Sequence, residues 1–201
     1  MRGMKNALRL TPVVISLFLA VPMLAAPQAQ SAPAKPAAAA PAPPQAPCTA
    51  PESKQFDFWV GEWDVTWPGP AEGKPGGTAT NRVEKTLDGC AVEEHFNGVT
   101  GSNLAGHSVS LYSVRDKAWK QTWVDNQGAY IDLTGEFKDG AMTLVHHGTT
   151  PDGKPLMSRM VYTNIKPDSF DWRWESSRDG GATWKVLWPL HYQRKGTSPK
   201  G

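Results

Sequence analysis

From Cys48 onward, turn chemistry interrupts the chain at short and regular intervals: Asp88-Gly89, Asn126-Gln127-Gly128, Asp139-Gly140, Pro151-Asp152-Gly153 and Asp179-Gly180-Gly181. Asp-Gly between alternating apolar segments is a strong hairpin signal, because the tight turns that match strand twist need positive φ. The stretches between these turns read as strands over residues 63–67, 78–87, 90–99, 104–114, 119–124, 129–137, 141–148, 156–165, 169–176 and 183–193. None of them carries a helical apolar period. Only Phe56-Asp57-Phe58-Trp59-Val60 reads as a single helical turn, leading to Gly61. Short antiparallel strands in such a series form an up-and-down barrel or a sandwich. A barrel is expected here, because closure removes exposed sheet edges.

Strand alternation sorts the side chains onto two faces. Cys90, Val92, Glu94 and Phe96 share a face, as do Trp119, Gln121, Trp123 and Asp125, and Phe170, Trp172 and Trp174. Further aligned sets are His107, Val109 and Leu111; Met142, Leu144 and His146; Met157, Arg159 and Val161; and Trp184, Val186, Trp188, Leu190, Tyr192 and Arg194. With apolar faces inward, Glu94, His107, Gln121, His146 and Arg159 are expected inside the barrel. The candidate lining of a ligand cavity is Trp119, Trp123, Trp172, Trp174 and Met142, with Glu94, His107, Gln121 and Arg159 orienting the ligand. All nine tryptophans lie beyond residue 48. Core packing accounts for most of them, since each ring buries a large area, and a stacking wall for a flat or carbohydrate ligand is the functional alternative.

The start of the chain points to export. Arg2, Lys5 and Arg9 precede an apolar stretch from Leu10 to Ala26, and Ala29-Gln30-Ser31 offers a small-residue cleavage site. This is the layout of a secretory signal peptide over residues 1–31. Pro12 and Pro22 interrupt the stretch, leaving it short of a membrane span. Residues 32–47 are rich in Ala and Pro and read as an extended linker. The folded domain is expected over residues 48–194, with a disordered tail over 195–201, in a periplasmic or secreted protein. Four of the 21 Lys/Arg and none of the 19 Asp/Glu fall in residues 1–47, so the remainder is slightly acidic. That balance lacks the basic footprint of a nucleic-acid binder. Cys48 and Cys90 are the only cysteines, and in an oxidising compartment such a pair is expected to be bridged.

Ser177-Arg178-Asp179-Gly180-Gly181-Ala182-Thr183-Trp184 matches the S-x-D-x-G-x-T-W pattern called the Asp-box, familiar from sialidases. Its physics is structural: Asp179 accepts turn N–H groups, the glycines supply positive φ, and Trp184 packs beneath the hairpin. It occurs once, without the blade repeat of a propeller. Gly61-Glu62-Trp63 with Arg194 on the last strand resembles lipocalins and other calycins, in which such a Trp packs under a terminal Arg and closes the barrel base. The resemblance is closer to a group of uncharacterised, secreted bacterial lipocalin-like domains. It rests on the hallmark Phe56-Asp57-Phe58-Trp59-Val60-Gly61-Glu62-Trp63-Asp64-Val65. Gly89-Cys90 with Glu94, Trp119 through Asp125, Arg159, and Asp179-Gly180-Gly181 before Thr183-Trp184 extend it over most of residues 48–193. The resemblance implies a calycin-type barrel and carries no established activity. Lys120 stands where the group commonly has His, and Leu187-Trp188-Pro189-Leu190 replaces a more polar stretch, with a bulge expected at Pro189.

A catalytic reading has little to build on. No G-x-S-x-G elbow occurs, and Glu94, paired with Arg159, is the single candidate for a general acid or base. No H-x-H or H-E-x-x-H is present, and adjacent His146 and His147 point to opposite faces, so no metal site is expected. Haem held by one inward His, His107 or His146, is the remaining cofactor option. The expected function is therefore a small-molecule-binding barrel for a hydrophobic or aromatic ligand, with no nucleic-acid partner. The alternatives are an enzyme acting on a small exported metabolite through Glu94 and Arg159, and an envelope scaffold.

Overall fold

The computed structural model describes residues 48–196; the proposed signal peptide, the linker and residues 197–201 lie outside that range. Ten antiparallel strands follow one another: β1 (Gly61–Trp67), β2 (Gly77–Thr86), β3 (Ala91–Thr100), β4 (Ala105–Ser113), β5 (Ala118–Asp125), β6 (Tyr130–Lys138), β7 (Ala141–Thr149), β8 (Pro155–Thr163), β9 (Ser169–Ser177) and β10 (Lys185–Arg194). Each pairs with the next, and β10 pairs with β1, so the sheet closes into an up-and-down barrel. The expected all-β, calycin-like fold is what forms. The Asp-Gly turns act as their chemistry requires: Lys138 pairs with Ala141, leaving Asp139 and Gly140 alone in the loop at φ 51° and 77°.

The segment before β1 makes two short helical turns, Pro51–Lys54 and Asp57–Trp59. Only the second is legible from the aromatic run. Phe56 and Trp59 are fully buried. Phe56 meets Trp119 edge-on at 4.7 Å, and Tyr162 stands 5.3 Å from the rings of Phe56 and of Trp59. Behind them Phe170 stacks on Tyr192 at 4.3 Å and meets Trp63 edge-on at 4.9 Å. One end of the barrel is thus stopped by aromatic packing, in which edge-to-face contacts add to area burial. The Cys48–Cys90 disulfide ties this plug to the start of β3 across 42 residues.

Two strands turn the face opposite to the one that apolar patterning suggests, and a third keeps the expected face only beyond a bulge. On β4, Gly106, Ser108 and Ser110 point inward, while His107, Val109 and Leu111 are exposed. Small residues are needed there: a Cβ on Gly106 would stand 2.1 Å from the Trp123 ring, and the serines bond Glu94 and Gln121. On β8, Ser158, Met160 and Tyr162 are buried, and Arg159 faces outward to bond Glu175 of β9 at 2.6 Å. Arg159 therefore does not pair with Glu94. On β10 the bulge falls between Val186 and Trp188, before Pro189 rather than at it. It breaks the expected face, leaving Val186 exposed while Trp188, Leu190 and Tyr192 turn inward. The Asp-box hairpin folds over this outer side, with the Arg159 guanidinium 3.9 Å above the Trp184 ring.

Candidate functional site

Glu94 projects from the middle of β3 into the barrel and is 5 % exposed. Its neighbours are set by register: Glu94 stands opposite Val83 of β2 and Ser108 of β4, with Asn81 of β2 on the same inner face. Asn81 Nδ2 donates to Glu94 Oε1 at 2.7 Å, and Ser108 Oγ donates to Oε2 at 2.7 Å. Gln121 Nε2 donates to the oxygens of Ser108 and Ser110 at 3.2 and 2.9 Å, which leaves the Ser108 proton directed at the carboxylate. Burial pushes the Glu94 carboxyl up to about 7, against the lowering effect of the Ser108 and Asn81 hydrogen bonds. The phenols of Tyr162 and Tyr192 are held well above their usual range by burial and by the nearby Glu94 charge, so both stay neutral.

Beyond Glu94, toward the end opposite the aromatic plug, lies a cavity of about 130 Å³. Trp123, Trp172, Trp174 and Trp188 wall it, with Phe96, Leu104, Ile131, Met160 and Leu190 between them and Tyr162 and Tyr192 beside the acid. Leu104, Ile131, Trp174 and Trp188 are only half-buried and form its rim. Asp125 fixes one wall by accepting the Trp123 indole N–H at 3.0 Å and the backbone N–H groups of Gln127 and Ala129. Burial raises the Asp125 carboxyl, but these three donors outweigh it and hold the group below the usual carboxylate range.

Of the residues assigned to the cavity from sequence, the structure places Glu94, Trp123, Trp172 and Trp174 on its wall. Trp119 and Met142 are buried at the plugged end, where the Trp119 indole donates to Gln55 Oε1 at 3.0 Å. Gln121 acts one residue removed, through Ser108. His107 and Arg159 lie outside, His107 with its ring 4.4 Å from that of His95 on the outer surface. His146 bonds the Asp132 carbonyl through Nδ1 at 2.8 Å and does not reach the cavity. A cavity of about 130 Å³ with neither candidate His on its wall offers no seat for haem.

Sequence reasoning missed Ser108 and Ser110, because small polar residues leave no apolar alternation to follow, and it missed Asn81. It also missed Met160 and Tyr162, which share a face only once Arg159 is turned outward. The alternation of Ala79, Asn81 and Val83 with Thr80, Arg82 and Glu84 was a signal for Asn81. Chemically, the site can enclose a small apolar group and offer one carboxyl that exchanges its proton near neutral pH. Both cysteines are bonded to each other and supply no nucleophile. Neither a known family model nor a curated protein matches the sequence.

Proposed function

We propose that this is an exported binding module whose barrel takes one small, largely apolar ligand at the open end. The observation that carries the proposal is the pairing of a tryptophan-walled cavity of about 130 Å³ with a single carboxyl, Glu94, at its inner end. Ligand sites are concave and mostly apolar, with a few polar groups that fix orientation. An apolar cavity of about 150 Å³ admits a benzene-sized guest, so the part of the ligand enclosed here is of that size. Export is supported by the leader-like residues 2–31 and by the disulfide, a bond that persists in oxidising compartments. Membership of the secreted lipocalin-like group rests on the hallmark of residues 56–65, and the closed barrel agrees with it.

Tryptophan fluorescence tests the binding role. Toluene titrated into natively purified protein is expected to quench or shift the emission saturably, and Leu190→Phe, which fills the cavity, is expected to abolish the response. A wild-type response that is absent, or one that Leu190→Phe leaves unchanged, refutes the role.

A further inference from the structure

Glu94 is arranged as an ionised acid would be, yet no positive group among the described residues meets it. Each carboxylate oxygen accepts one hydrogen bond, from Asn81 and from Ser108, and Gln121 orients the second donor. Those are the bonds that favour the charged form. The groups facing Glu94 are Asn81 from β2, Ser108 from β4, Gln121 from β5, Tyr162 from β8 and Tyr192 from β10. Only the tyrosines among them titrate, and burial keeps both neutral. The arginines of β2, β8 and β9 are engaged elsewhere: Arg82 bonds Glu84, and Arg159 and Arg173 both bond Glu175 on the outer face. A buried carboxylate without a counter-charge is costly, and the cost falls when a cation joins it.

The cavity wall supplies the other half of a cation site. Trp123, Trp172, Trp174, Trp188 and Phe96 surround the space next to Glu94. Aromatic faces attract ammonium groups through the ring quadrupole, indole most strongly, and the attraction grows when the cation is desolvated. A greasy ligand would need the rings but not the acid. A strongly hydrated metal ion would need more oxygens than one carboxylate provides.

Building on the binding role proposed above, we infer that the ligand is a compact organic cation. Its quaternary or tertiary ammonium head sits among the tryptophan rings, with Glu94 as counter-ion. The cavity volume limits the enclosed part to such a head, and any longer arm leaves past the half-buried rim residues Leu104 and Ile131. Because the empty site titrates at about 7, the cation displaces a proton from Glu94 below that pH. Its apparent affinity is then scaled by the ionised fraction of Glu94.

The test compares choline with its uncharged carbon isostere, in which a quaternary carbon replaces the nitrogen, by calorimetry and tryptophan fluorescence on the full domain. Choline is expected to bind about tenfold more tightly at about pH 8.5 than at about pH 6. The isostere is expected to bind more weakly than choline at the higher pH, with little dependence on pH. Glu94→Gln should remove the choline preference and its pH dependence while leaving isostere binding in place. The wild-type comparison needs no variant, so a misfolded Glu94→Gln does not rescue the idea. An isostere that binds as well as choline at the higher pH, or choline affinity that is flat in pH, overturns the cation assignment and leaves the binding role standing. Failure of both probes to bind overturns the two together.

Discussion

The guanidinium of Arg194 lies 4.3 Å over the ring of Trp63, and the two residues are direct partners across the seam where β10 meets β1. Its nitrogens donate to the carbonyls of Val60 and Pro167 at 3.0 Å and of Phe58 at 3.4 Å. The same group explains Gly61: at φ 139° a Cβ there would stand 2.1 Å from Arg194 Nη1. One side chain therefore joins the last strand, the first strand and the aromatic plug.

Arg194→Ala is expected to destabilise the domain by about 2–4 kcal/mol, because it removes the charge-assisted hydrogen bonds and the cation–π stacking on Trp63 at once. Arg194→Lys should recover less than half, because an ammonium cannot span the same carbonyls while covering the indole. Urea unfolding midpoints measure both, and a loss under about 0.5 kcal/mol for Arg194→Ala would contradict this closing role.

Glu94 makes stability fall as pH rises. Burial sets its folded pKa at about 7 against an ordinary value of 4.5, so the folded protein holds this proton more tightly than the unfolded chain does. The contribution is fully present below about pH 4.5 and is lost as pH climbs through about 7, a change of about 3 kcal/mol. Glu94→Gln should flatten that part of the stability–pH curve, as followed by urea unfolding of the ligand-free protein between about pH 5 and about pH 8. An unchanged slope in the variant would assign the effect to another group.

The disulfide closes a loop of 42 residues, for which the loop-entropy relation gives about 4 kcal/mol. Cys90→Ser and chemical reduction of the native protein should lower the unfolding free energy by similar amounts. Reduction of the Cys90→Ser protein should have no further effect. A native protein whose stability is indifferent to reductant would show that the plug stays docked without the bond.

Glu175 is 4 % exposed although it points away from the cavity. Burial raises its carboxyl, but bonds from Arg173 at 2.8 Å and Arg159 at 2.6 Å hold it below the usual range. Glu175→Ala leaves two guanidinium groups, one of them packed on Trp184 of the Asp-box hairpin, without their anion. Because both arginines are partly exposed, the expected loss is about 2–3 kcal/mol, short of a fully buried pair. Ligand binding should survive, since none of the three lines the cavity. Impaired binding with unchanged stability would instead place this cluster in the site.

Ten strands, their order and most of their turns were legible because each depends on neighbours in the chain: alternation over a few residues, and glycine where φ is positive. The facing of Trp119, Trp123, Phe170 and Trp172 was legible for the same reason. The facing of β4 and β8, and of Val186 before the β10 bulge, was not. On β4 the larger apolar residues sit outside, because the interior needs the space that Gly106 leaves for Trp123 and the hydroxyls that Ser108 and Ser110 offer to Glu94 and Gln121; on β8 Arg159 sits outside to bond Glu175.

The sequence by itself determined an all-β domain and the Cys48–Cys90 pair, which follow from local pattern or from residue types with few possible uses, while the Trp63–Arg194 closure is what the resemblance to calycins implied. Only the tertiary structure decided that Arg159 serves Glu175 outside the barrel while Glu94 stands inside with neutral partners. Strand register and one bulge assign each side chain to a face, and register is set by pairing across the whole sheet. The charge balance of the cavity, and so the kind of ligand it suits, is a property of that closure.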